Sequence, residues 1–173
     1  MKGFKIFRIV MLVVLASILF SFYQNRNVTV IYLVRHAEKL NMTDTSGLTV
    51  AGLQRSLVLS DSMKNKNLTR IYASIYLRAQ VTAQATATKS GLFVNPYHPD
   101  SSALFVSRLK KLKNQRILIV GHSDNIPNMI RELSGEQIEI PSKVYDRLYK
   151  ITITRLFKTT VRVECQRYGM PTP

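Results

Sequence analysis

Two histidines occupy matching places in this chain of 173 residues. Arg35-His36 follows the apolar run Val28-Thr29-Val30-Ile31-Tyr32-Leu33-Val34, and Gly121-His122 follows Ile117-Leu118-Ile119-Val120. Both runs are short, continuously apolar and rich in β-branched residues, the pattern of a buried parallel strand. Each histidine therefore falls just past the carboxyl end of a strand, the edge where open α/β sheets bind ligands. A third run, Arg70-Ile71-Tyr72-Ala73-Ser74, ends the same way, and Arg78 follows it. Two imidazoles and two guanidiniums then converge on one crevice. Such a set suits attack on a phosphate: a nitrogen nucleophile surrounded by fixed positive charge.

The elements that must position these groups are legible along the chain. Strand one covers about 28–34, followed by a polar loop at 37–48 that borders the crevice. Thr49 caps a helix to about Lys66. Strand two is about 70–74, and a helix from about 76 to 89 ends at Gly91. Phe93-Val94-Asn95 reads as a short strand, with Pro96 and Pro99 marking a loop. Ser101 or Ser102 caps a helix to about Asn114. The second histidine strand is about 116–120, and Pro127 opens a short helix to about Leu133. Arg147–Thr154 and Thr159–Glu164 form a closing strand pair. Alternating strands and helices predict a three-layer α/β/α sandwich with a mostly parallel sheet.

Four stretches carry a resemblance. Val34-Arg35-His36-Ala37-Glu38-Lys39 resembles the first motif of the histidine phosphatase superfamily, whose fold is shared with the cofactor-dependent phosphoglycerate mutases. Ser74-Ile75-Tyr76-Leu77-Arg78-Ala79-Gln80-Val81-Thr82-Ala83 resembles the second. Gly121-His122-Ser123-Asp124-Asn125-Ile126-Pro127 resembles the third, and Leu48-Thr49-Val50-Ala51-Gly52 resembles the family's Leu-Thr-x-x-Gly helix start. The matches run in the right order and imply a small, single-domain, phosphoglycerate mutase-like phosphatase. The resemblance implies that His36 is the nucleophile, forming a phosphohistidine. Arg35 and Arg78 clamp the phosphoryl group through paired donors. His122, if protonated, is a further donor, and the backbone N–H of Ser123 could add one more.

A leaving alcohol also needs a proton. Many relatives place a glutamate after the second-motif helix, but residues 84–99 here hold no carboxylate. Glu38 and Asp124, each two residues past a catalytic histidine, are the candidates, with Asp100 more remote. If neither serves, substrates with good leaving groups are expected. Alternatives are a mutase-type phosphotransferase and a non-catalytic phosphate-binding module of the same fold. No cofactor is implied, and arginines beside His36 and His122 disfavour a metal.

The chain splits into residues 1–26 and a catalytic domain at 27–173. Lys2, Lys5 and Arg8 precede an apolar stretch from Ile9 to Tyr23, which reads as an uncleaved membrane anchor or, alternatively, a cleaved signal segment. An extracytoplasmic catalytic domain is expected, or a secreted one after cleavage. Net charge is +15, from 25 basic against 10 acidic residues. No nucleic-acid motif accompanies it, so the expected partners are a small phosphorylated substrate and a membrane. Cys165 is the only cysteine, which excludes an internal disulfide.

Overall fold

The computed structural model describes residues 2–24 and 27–172, without the side chains of residues 2, 3, 19 and 22–24. Its elements run α1 (Lys2–Gln24), β1 (Asn27–Arg35), α2 (Val50–Met63), β2 (Arg70–Ser74), α3 (Leu77–Ser90), β3 (Val94–Tyr97), a 3₁₀ turn at Pro99–Ser101, α4 (Ser102–Lys111), β4 (Arg116–Gly121), α5 (Asn125–Ser134), β5 (Arg147–Arg155) and β6 (Thr159–Arg167). The six strands form one sheet in the order β3-β2-β4-β1-β5-β6. β3, β2, β4 and β1 are parallel, and β5 and β6 add antiparallel.

Side-chain alternation along the strands builds two cores. Ile31, Leu33, Ile117, Ile119, Tyr149 and Ile151 face the layer of α4 and α5. Val30, Tyr32, Val34, Leu118, Val120 and Leu148 face α2 and α3, against Leu59, Met63, Ala79 and Ala83. Helices on both faces explain why the central strands read as unbroken apolar runs. The small residues of α3 let it lie close to the sheet, which fixes the backbone around Arg78.

Element ends differ from expectation for local reasons. α2 stops at Met63 rather than near Lys66, with a turn at 64–66. α4 stops at Lys111, because Leu112 is already extended. β3 runs to Tyr97 and includes Pro96, tolerated because β3 is an edge strand. α5 begins two residues before Pro127, capped by Asp124, whose carboxylate accepts from Asn125 N–H at 2.7 Å. Pro127 still sits in the first turn, where its missing N–H leaves no gap.

α1 exposes apolar side chains from Phe4 through Phe20. Among the described residues, no helix is long and apolar enough to cross a membrane. Residues 1, 25 and 26, also part of the expected anchor, lie outside the described residues.

Candidate active site

β1 and β4 are neighbours in register, with Arg35 opposite Gly121. That pairing carries His36 and His122 to adjacent positions at the sheet edge, with ring centroids 5.1 Å apart. His36 N–H donates to Gly121 O at 2.9 Å, tying the two motif backbones together. Gly121 is required by space: a Cβ there would lie 2.7 Å from Asn125 Oδ1 and 2.8 Å from the Tyr97 hydroxyl. Asn125 Oδ1 in turn accepts from His122 N–H at 2.8 Å.

α3 delivers Arg78 to the same edge. Thr82, one turn along, donates to Arg78 O at 2.7 Å and accepts from Ala37 N–H at 2.9 Å. This buried threonine joins the first and second motifs. Its signal was its place in the second motif, but sequence reasoning gave it no role. Ser74, Tyr76 and Tyr145 were likewise unassigned. Ser74 Oγ lies 2.6 Å from His122 Nε2. Tyr76 packs edge-on against His122 and carries the Arg78 guanidinium 4.6 Å above its ring. Tyr145 does the same for Arg35 at 4.2 Å.

The tautomer of His36 follows from its partner. Nδ1 lies 2.7 Å from Ala37 O, which can only accept, so Nδ1 carries the proton. Nε2 then bears the lone pair. Burial, then the neighbouring His122 and both arginines, pushes the His36 pKa down to about 3. Burial and Arg78 push His122 down to about 4. Both rings are neutral at pH 7, the form a nucleophile needs. His122 is thus a neutral donor through one N–H, not the cation that would offer two.

Arg35 Nη1 is held by the carbonyls of Pro141, Ser142 and Val144 at 3.2, 2.6 and 3.2 Å. Arg78 Nη1 reaches Thr43 O at 3.3 Å in the 37–48 loop. That loop is closed by pairing of Lys39 with Leu48. Nε of both Arg35 and Arg78 is buried without a hydrogen-bond partner among the described residues. Two fixed, undischarged donors beside two neutral imidazoles form an oxyanion-binding set.

The two candidate acids part company. Glu38 is gripped by Arg55, with Nε–O distances of 2.9 and 3.0 Å and Nη2–Oε1 at 2.7 Å. It lines a cavity with Ala51, Gln54, Val58 and Met170, not with His36. Both carboxylate oxygens are taken up by Arg55, so the geometry does not support Glu38 as a proton donor. The neighbouring Leu-Thr-x-x-Gly start has a structural reason: Gly52 abuts the Glu38 backbone, and Thr49 N–H donates to Glu38 O at 2.9 Å. Asp124 is exposed and close enough to act electrostatically on His122 and Arg35. Ser123 is half-buried beside it. Asp100 stands apart, paired with His98 at 3.5 Å. No group of three or more metal-ligating side chains occurs among the described residues.

The family profile of the histidine phosphatase superfamily (branch 1) matches residues 31–100, which hold the first two motifs. The third motif, outside that span, is set beside them by the β1–β4 register. Over residues 31–100 the chain is similar to the histidine phosphatase superfamily. No curated protein sequence matches it. Solved histidine phosphatase structures share its fold. The protein histidine phosphatase SixA complexed with tungstate is 18% identical, with a TM-score of 0.62 over 80% of this chain and 97% of that one. Mycobacterial glucosyl-3-phosphoglycerate phosphatase with VO3 is 11% identical, with a TM-score of 0.66 over 81% and 99%. A phosphoserine phosphatase from Entamoeba histolytica with 3-phosphoglyceric acid is 17% identical, with a TM-score of 0.55 over 76% and 96%.

The two buried histidines also make the fold pH-sensitive. Unfolded histidine titrates near 6.5. Below that pH the unfolded chain takes up protons that the folded site refuses, so stability falls as pH drops. The loss is about 1.4 kcal/mol per pH unit for each histidine, continuing down to the folded values. Tm is therefore expected to fall steeply between pH 6.5 and 4.5. A variant with both His36→Gln and His122→Gln should show a flatter profile across that window. Scanning calorimetry checks this, and equal slopes would contradict it.

Proposed function

We propose that this protein is a phosphatase that hydrolyses a small phosphorylated compound through a phosphohistidine on His36. The observation that carries the reading is the buried pair of neutral imidazoles between Arg35 and Arg78, with His36 Nε2 left as the free nucleophilic nitrogen. In the first step Nε2 attacks phosphorus and the ester oxygen leaves. In the second, water attacks the phosphohistidine and releases inorganic phosphate. Arg35, Arg78 and His122 stabilise the equatorial oxygens as charge builds on them. Two similar structures hold tungstate and VO3 in their own right, which fits an oxyanion site of this design.

Asp124 is the proposed proton donor. It caps α5 at the crevice mouth, beside a cavity of about 330 Å³ lined by Ser123, Ile138 and Pro141 that has room for a leaving group. A general acid matters most when the leaving group is basic. Asp124→Asn should therefore lose alkyl phosphatase activity far more than aryl phosphatase activity. Glu38→Gln should affect both substrates equally. Equal, small effects in both variants would remove Asp124 from the role and point to substrates that need no acid, such as acyl phosphates, phosphoramidates or phosphohistidine. A panel of phosphorylated compounds, run with and without EDTA, tests the reading as a whole. No hydrolysis of any of them would overturn it.

α1 is proposed to hold the domain at a membrane, with the catalytic domain outside the cytoplasm. Supporting this, α1 exposes a series of apolar side chains between Phe4 and Phe20, a surface suited to a non-aqueous partner. Full-length protein should stay with membranes through a high-salt wash, while a chain starting at Asn27 should not. Salt weakens surface electrostatics but not apolar insertion. Release by salt alone would contradict the assignment.

A further inference from the structure

The end of the sheet opposite His36 has a composition that catalysis does not explain. Four turns meet there, at 64–69, 91–93, 112–115 and 156–158, and none contains an acidic residue. Arg155 Nη2 donates to Lys110 O at 2.7 Å, and Arg116 Nη1 to Lys66 O at 3.4 Å, so the neighbouring turns share one surface. Lys64, Lys110, Lys111, Lys113 and Lys158 stand exposed on it. Asp61, near the end of α2, is neutralised by Lys89.

Apolar side chains flank this basic centre. Phe93, before the edge strand β3, is 88% exposed. Leu156 and Phe157, at the tip of the β5–β6 hairpin on the far side of β1, are 45% and 80% exposed. With strands spaced about 4.8 Å apart, the two apolar points lie about 20 Å apart across the lysines. β1 starts at this same end, and α1 stops at Gln24, three residues before Asn27. The end of α1 is thus within about 11 Å of the surface by chain length alone.

We propose that this face docks on an anionic lipid bilayer, with lysines over the headgroups and Phe93, Leu156 and Phe157 entering the interface. Basic residues flanked by exposed aromatic and aliphatic tips match a negatively charged surface with an apolar interior. The nine residues of β1 then set His36 about 30 Å from the bilayer, facing away from it. In that pose the crevice takes phosphorylated groups from the aqueous phase, not lipid headgroups.

The test uses the full chain carrying Cys165→Ser and one new cysteine, Phe157→Cys, Phe93→Cys or Thr45→Cys, labelled with a polarity-sensitive dye. Vesicles are phosphatidylcholine, alone or with about 30% phosphatidylserine. Blue shifts are expected at 93 and 157 with the anionic vesicles. They should be reversed in about 1 M salt and absent in a chain also carrying Lys110→Glu, Lys111→Glu and Lys113→Glu. Position 45, in the loop by the active site, should not respond. Protein that floats with the anionic vesicles without shifts at 93 and 157 would overturn the face while leaving an α1 anchor standing. An equal shift at 45 would overturn the orientation. Binding to an RNA duplex, with no response to either vesicle, would give the surface to nucleic acid instead and overturn the lipid assignment.

Discussion

His36→Ala is expected to reduce turnover by about 10⁴-fold or more, the scale of losing a nucleophile outright. Three features of His36 set this expectation. His36 is buried, its Nδ1 proton is fixed by Ala37 O, and its pKa is pushed down to about 3. It therefore keeps a lone pair on Nε2 at any pH where the protein is folded and active. No other group at the crevice can replace it. The His122 ring makes a 2.6 Å contact with Ser74 through Nε2, and the Asn125 bond to its backbone fixes its position. The variant should still bind an inorganic oxyanion such as tungstate, because Arg35, Arg78 and His122 remain. Steady-state kinetics with tungstate titration separates the two effects. Near-wild-type turnover would remove His36 as nucleophile.

Arg78→Ala is expected to lower kcat/KM by at least about 100-fold, as for the loss of one charge-stabilising donor in a preorganised site. Arg78 is buried, its Nε has no partner among the described residues, and Tyr76 packs against its guanidinium plane. Arg78→Lys should recover only part of the loss. An ammonium keeps the charge but lacks the planar fork, and it cannot stack on Tyr76 in the same way. Kinetics on one substrate with all three forms decides the point. Full activity in the lysine variant would argue against forked phosphate binding.

Much of this arrangement could be read from residue order, because parallel strands buried on both faces leave long apolar runs. Ile117–Val120 and Val28–Val34 announce their strands, and whatever follows such strands lands at one edge. His36, His122, Arg35 and Arg78 were legible for that reason. The partners of these groups were not. Glu38 and Asp124 stand in equivalent positions after a histidine, and only the three-dimensional path shows Arg55 closing on one of them. Arg55 is 17 residues from Glu38, brought in by the angle of α2, which no periodicity encodes. Tyr145 reaches Arg35 across 110 residues of sequence. Thr82 was visible in a motif, yet its bond to Ala37 N–H depends on how closely α3 packs. Element ends shifted by a few residues where capping competed with pattern, as at Asp124 before α5.

The central claim is a phosphoryl group carried on His36 Nε2. It is tested most directly by mixing enzyme with excess aryl phosphate, quenching in base within the first turnover, and mapping the phosphorylated peptide by mass spectrometry. A base-stable, acid-labile phosphoryl adduct on His36, absent from His36→Ala and decaying at the rate of turnover, is the predicted result. Turnover without any adduct on His36, or an adduct on another residue that forms and decays competently, would contradict it.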